Sequence, residues 1–245
     1  MKKTVIFLMV IFISNITKSQ DISIGLIGGY NYYNYTFWGF PDSVKIDDYE
    51  KFAFPTGEHK FENKLNFSTG IKIEYCKNNI VLGSNMLYSA KDYVVNYDIE
   101  PTTISGQTFA AYDKSILRFR YFDFNINIGY TFLENKKINI IPQVGFTTGF
   151  LLQADSKVIF TDGREIIYKD YTDAYVQHQA EKILFAATGS ISFRYSINNT
   201  IKLVLEPYFA QYINQLAKEP MDRNPMTYGA KIGIIYSFNK NKKTE

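Results

Sequence analysis

The segment YFDFNINIGYTF, Tyr121 to Phe132, alternates without a fault. Phe122, Phe124, Ile126, Ile128, Tyr130 and Phe132 fall on one parity, and Tyr121, Asp123, Asn125, Asn127, Gly129 and Thr131 on the other. A period of two is the mark of a strand with one apolar and one polar face. The same pattern predicts eight strands, near Ile22–Thr36, Leu65–Cys76, Ile80–Ala90, Leu117–Phe132, Ile138–Leu151, Leu184–Ile197, Thr200–Tyr212 and Met226–Phe238. No helical period of comparable strength competes. The best local candidate, YVQHQAEKILF from Tyr175, is short and runs into a strand.

The links between these strands alternate in length. Lys77-Asn78-Asn79, Glu134 to Lys137 and Asn198-Asn199 are tight, whereas the stretches 37–64, 91–116, 152–183 and 213–225 are long. Strict alternation of tight and long links is what an up-and-down barrel with one plain rim and one elaborated rim requires. Asn suits the tight turns because it tolerates positive φ. Inside the third long link, VIFTDGREIIY places Asp162-Gly163 between two β-prone runs, which predicts a hairpin that extends the wall outward.

Alternation alone leaves open which face meets water. The apolar sets are Leu65, Phe67, Ile71, Ile73 and Tyr75; Ile191, Phe193 and Tyr195; Ile201, Leu203, Leu205 and Phe209; and Ile232, Ile234, Tyr236 and Phe238. Opposing them are Asn66, Ser68, Gly70, Lys72 and Glu74; Ser190, Ser192 and Arg194; Lys202 and Glu206; and Gly229, Lys231, Gly233 and Ser237. A soluble, lipocalin-like carrier would turn the first sets inward around an apolar ligand. Three features favour lipid instead. The polar face is mild and glycine-bearing, which suits a crowded narrow lumen better than a solvent-facing surface. Tyr75, Tyr130, Phe132, Tyr195, Tyr236 and Phe238 gather where strands meet tight turns, as an interfacial girdle does. Each strand also has about the 9–11 residues that a tilted transmembrane strand needs. The expected fold is therefore all-β: an eight-stranded antiparallel up-and-down transmembrane β-barrel with short periplasmic turns and long extracellular loops.

Composition bears on address. MKKTVIFLMVIFISNITKSQ puts Lys2 and Lys3 before an apolar run from Val5 to Ile13 and a small-x-small site at Thr17-Lys18-Ser19. The expected organisation is an export signal over 1–19, the barrel over 20–238 and a polar C-terminal tail over 239–245. The apolar run is shorter than a membrane helix requires. A cut after Ser19 removes Lys2, Lys3 and Lys18 and brings the formal charge of +3 to zero, so the basic balance argues nothing for nucleic acid. The lone cysteine, Cys76, excludes an internal disulfide framework and reads as a small strand residue. Twenty Tyr and twenty Phe against two His set the chemical tone.

Three blocks carry a family resemblance: IGLIGGYNYYNY near the start, LFAATGSISFRYSINNTIKLVLEPYFAQYINQL, and the closing YGAKIGIIYSF. Together they resemble the PorT-like outer-membrane β-barrel family of Bacteroidetes over essentially the whole mature chain. The resemblance implies the outer membrane of a Gram-negative cell, with both termini periplasmic, and a part in protein secretion as one function. Phe238 resembles the terminal aromatic that the barrel-assembly machinery reads during insertion.

Candidate chemistry is sparse. Eight strands enclose a lumen that side chains just fill, which argues against a wide pore. Counting from the tight-turn rim brings Glu206 and Lys231 to nearly one depth and predicts that they pair, with Glu74, Arg194 and Lys202 in a second charged layer nearer the periplasm. A satisfied network is the first expectation and a proton or ion path the second. Arg118 and Arg120 share the parity of Phe122 and face out just above the apolar band, within reach of lipopolysaccharide phosphates; a solvated strand overhang is the other reading. His59 and His178 lie in long links without a nucleophile motif, so a barrel enzyme is the weaker alternative and no catalytic residue is assigned. Spacing gives no metal motif, and no cofactor is expected. The expected function is that of a structural or binding protein acting through its extracellular loops, with no protein partner identifiable.

Overall fold

A computed structural model describes residues 21–34, 59–97, 102–104, 107–109, 112–134, 137–168, 181–214 and 225–238. The expected export signal, the tail over 239–245, His178 and the helical candidate up to residue 180 lie outside them. Ile183 to Phe185, the end of that candidate, are strand.

The eight alternating segments form eight long strands: β1 Asp21–Asn34, β2 Leu65–Lys77, β3 Ile80–Ala90 and β4 Tyr112–Tyr130. They continue as β5 Ile138–Phe160, β6 Ile183–Ser196, β7 Ile201–Tyr212 and β8 Met226–Phe238. Each pairs antiparallel with its sequence neighbours, and β1 pairs with β8, so the sheet closes on itself. Tracing the register from Asn139 through Arg194, Val204, Gly233, Ile27, Gly70, Leu87 and Asp123 returns to β5 at Gly149, ten residues along. Eight strands with that stagger tilt by about 35–45° and enclose a narrow lumen.

The tight turns explain the order. Lys77 pairs with Ile80, and Asn78 and Asn79 between them take φ of 49° and 66°, the left-handed pair a two-residue hairpin needs. Asn79→Val is expected to destabilise the barrel by about 1–2 kcal/mol, the penalty of a bulky residue in that region, and Asn79→Gly not at all. Midpoints of urea unfolding of the detergent-refolded chain measure this; equal midpoints for the two variants contradict it. At the third turn the Asn198 side chain takes over part of the work, its Oδ1 accepting from the backbone N–H of Thr200 at 2.9 Å and of Ile201 at 2.7 Å.

Two strands run further than alternation suggests. β4 begins at Tyr112 and β5 ends at Phe160, beyond the expected Leu117 and Leu151. On β5 the cause is a β-bulge between Leu151 and Gln153. One extra residue shifts parity: Gln143 and Gly149 are buried before the bulge, Ala154 and Ser156 after it, so the alternation slips where the strand continues. Past the bulge the Asp162-Gly163 hairpin forms as expected. Gly163 sits at φ 83°, its N–H donates to Phe160 O, and Glu165–Tyr168 pairs back on β5. On the other side Tyr93–Tyr97 pairs with β4 and His59–Asn63 with Tyr93–Tyr97, so a five-stranded wall rises from one side of the barrel.

The two faces separate cleanly. Leu26, Ile126, Val144, Ile232 and Ile234 are exposed on the outside, while Asn85, Asn125, Asn127, Ser192 and Glu206 are buried inside. A carrier with an apolar pocket has the opposite arrangement.

Candidate functional site: lumen and outer belts

On the outer face Tyr130, Phe132, Tyr195, Tyr236 and Phe238 are exposed at the tight-turn rim, with Tyr75 half-buried among them. Tyr236 and Phe238 meet edge to face at 4.9 Å. A second belt, which the sequence reading missed, circles the other end through Tyr30, Phe67, Tyr88, Phe122, Phe150, Phe185 and Tyr228. Its signal was available: Phe67 and Tyr75, Phe122 and Tyr130, and Tyr228 and Tyr236 all stand eight positions apart. At roughly 3.3 Å per residue and a tilt near 40°, that spacing gives about 20 Å of height, close to the ~25 Å apolar band of outer-membrane barrels.

Inside, the register Glu206↔Lys231 brings the expected pair together, with Lys231 Nζ 3.7 Å from Glu206 Oε1. The expected second layer forms in part. Arg194 donates to Glu74 at 2.8 Å, but Lys202 is half-buried and joins no ion pair among the described residues. It stands at the tight-turn end of β7, beyond the depth of Glu74. Lys72 takes the place given to it: its ammonium lies 3.2 Å from Glu74 Oε1 and donates to Glu206 Oε2. The two layers are thus one chain of alternating sign, Arg194, Glu74, Lys72, Glu206, Lys231. Each charge is nearly dry, and each anion touches two cations, the arrangement that makes burial tolerable.

Amides fill the space above. Asn125 Oδ1 accepts from Asn85 at 3.1 Å and Asn127 at 2.9 Å, while its Nδ2 donates to Thr147 Oγ1 at 2.9 Å. Tyr208 lays its ring over Lys231 and donates its hydroxyl to Asn31 Oδ1. Both ends of the polar column are closed by apolar side chains. Val81, Ile141, Val204 and Ile235 turn inward at the depth of Arg194. Toward the long links Tyr33, Leu117, Phe119, Tyr121, Leu184 and Tyr212 pack into one cluster. Buried in that plug is Lys91, paired with Asp123 at 2.6 Å and 4.9 Å from the Tyr121 ring centroid. By sequence Lys91 falls in the long link 91–116, although it continues the inward parity of Leu87 and Ser89. Among these side chains lies a cavity of about 40 Å³ bordered by Ser68, Asp123, Asn127, Thr227 and Lys231 among others, enough for a few waters or one small ion.

The family model for the outer membrane protein β-barrel domain matches residues 17–244. The chain belongs to that family. This member is a small eight-stranded barrel of the outer membrane. Among solved structures it is similar to Neisserial surface protein A at 9% identity, covering 89% of this chain and 97% of that one with a TM-score of 0.44. OprG of Pseudomonas aeruginosa is similar at 12% identity, 91% and 98% coverage and a TM-score of 0.41. Ail, the attachment invasion locus protein of Yersinia pestis, is similar at 11% identity, 90% and 99% coverage and a TM-score of 0.37. Likeness at this level says nothing of a shared ligand. No curated protein matches by sequence.

The other residues singled out fall as follows in this outer-membrane barrel. Arg118 and Arg120 lie on the outward parity of β4, above Phe122. Arg120 is already engaged, forked onto the carboxylate of Asp92, and Arg118 stands in register with Asp155. His59 opens the strand His59–Asn63, at the edge of the tall wall. Cys76 is a half-buried strand residue.

Proposed function

We propose that this barrel acts from its outer surface, as a structural or binding protein, and conducts nothing through its centre. The observation that carries the reading is the contrast between a lumen filled by ion pairs and sealed by apolar side chains, and a wall that continues about ten residues past the upper belt. We place the long links and that wall outside the cell and both termini in the periplasm. The tip of the wall is ordered for recognition. Arg164 stacks on Phe160 with 5.4 Å to the ring centroid and pairs with Asp162 at 2.6 Å. Hydrogen bonds from Arg164, the backbone N–H first, hold the Asp162 carboxyl below the usual carboxylate range, so the tip keeps its charges at physiological pH.

A photoreactive residue at Thr161, on the tip, and one at Asn199, in a tight turn, test this in intact cells. Adducts at 161 and none at 199 are expected. The reverse supports the other reading, a PorT-like component of secretion with a periplasmic or membrane partner, and removes the loop-binding one.

Lipid is the second proposed partner, through lipopolysaccharide phosphate at Arg118. Among the described residues no ion pair holds Arg118, whereas Arg120 is held by Asp92 at its side. The R118A/R120A variant is expected to lose lipopolysaccharide on purification. Unchanged copurification removes the proposal.

A further inference from the structure

Charge does not balance inside the lumen. Among the described residues four buried cations, Lys72, Lys91, Arg194 and Lys231, stand against three buried anions, Glu74, Asp123 and Glu206. Lys91 takes Asp123, and Arg194 and Lys72 take Glu74 and one oxygen of Glu206. Lys231 is left at the end of the chain. Its nearest carboxylate oxygen is 3.7 Å away, beyond hydrogen-bond length, and its other neighbour is the face of Tyr208, 4.0 Å from the ring centroid. A ring face attracts a cation but accepts no strong hydrogen bond, so the ammonium keeps both a surplus charge and unspent donors.

The 40 Å³ cavity opens beside it. Lys231 and Ser68 are the two register partners of Gly29, one on each side. A Cβ there would meet Ala230 O at 2.1 Å, so a larger residue does not fit without a shift of backbone. The hydroxyls of Ser68 and Thr227, both buried and both bordering the cavity, have no hydrogen-bond partner in the protein. The Lys231 ammonium and the Ser68 hydroxyl therefore border one small space beside an uncompensated positive charge, while Thr227, four positions along β8, borders the cavity beyond the Tyr208 ring. Asp123 Oδ1 and Asn127 Oδ1 border it too, but these acceptors suit water, so an anion belongs at the Lys231 end. A bound cation would add to the surplus, and water alone would leave it standing.

We propose that this cavity holds one small monovalent anion, halide in class, against the Lys231 ammonium and the Ser68 hydroxyl. Apolar side chains close the lumen on both sides, so the ion is taken up as the barrel folds and exchanges slowly afterwards.

The test uses the mature chain refolded from urea into detergent, in sodium chloride or in sodium gluconate of equal ionic strength. The reading is the temperature at which the compact, SDS-resistant form is lost. A midpoint about 3–5 °C higher after refolding in chloride is expected, the gain from a ligand bound only by the folded state. The difference disappears in K231M and shrinks in S68A, which keeps every lumen charge. Equal midpoints in the two salts overturn the proposal, as does a chloride effect that survives K231M. Should K231M fail to fold, S68A decides: an undiminished chloride effect overturns the proposal and a reduced one supports it. After refolding in bromide, an anomalous peak beside Lys231 is the expected crystallographic result. No peak there, or an adventitious ion on the surface only, overturns it.

Discussion

Glu206→Gln lowers the unfolding temperature of the folded barrel by about 10 °C. Glu206 is 2% exposed and touches both Lys72 and Lys231. Glutamine keeps the shape and one acceptor but removes the charge that holds two ammonium groups in a lumen walled by lipid. Breaking a buried pair from one side costs about 3–5 kcal/mol, because the partner charge is left unpaired. For a chain of this size about 1 kcal/mol moves the midpoint by roughly 2–4 °C. Loss of SDS resistance against temperature is the measurement, with half-lives at one temperature compared if unfolding is irreversible. An unchanged midpoint shows that Glu206 pairs with nothing of consequence. Adding K231M to E206Q should recover part of the loss, since it removes one of the stranded cations; additive losses in the double variant argue against coupling.

That ion pair was legible in the sequence because Glu206 and Lys231 sit on neighbouring strands, where counting from a tight turn fixes the depth. Lys72 was not, for a reason of geometry. It lies on β2, three strands round the wall from β7, and reaches Glu206 across the lumen. Counting along adjacent strands finds neighbours in the sheet. It does not reveal that a narrow barrel brings opposite walls within one side chain of each other. The same limit misplaced Lys202, whose parity is right but whose depth is that of the rim. Strand identity was read well wherever alternation was unbroken, and it failed at the Leu151/Gln153 bulge, where one inserted residue swaps the faces. The apolar plug was hidden for a different reason. Tyr33, Phe119, Tyr121 and Tyr212 sit on the inward parity, so aromatic content there reads as a blemish in a polar face until the closure of the sheet gathers the rings at one height.

The assignment of the outer face to lipid has its sharpest consequence at Ile126. This residue is 57% exposed and stands midway between Phe122 and Tyr130, which lie in the two aromatic belts. On a barrel in water an exposed isoleucine can become arginine at almost no cost in stability. At the middle of a bilayer the same change is expected to destabilise by about 2–4 kcal/mol, falling toward zero near the interfaces. Ile126→Arg should therefore depress folding into lipid vesicles strongly, and Phe132→Arg, in the lower belt and 79% exposed, should do so far less. The measurement is the fraction of chain reaching the compact, SDS-resistant form in vesicles at graded urea. Equal penalties at the two positions place Ile126 outside the hydrocarbon and break the belt assignment. A large penalty at Ile126 alone ties the faultless alternation of Tyr121 to Phe132 to its cause: one parity answers to lipid, while the other, Asp123 with Asn125 and Asn127, answers to the ion pairs and amides that fill the lumen.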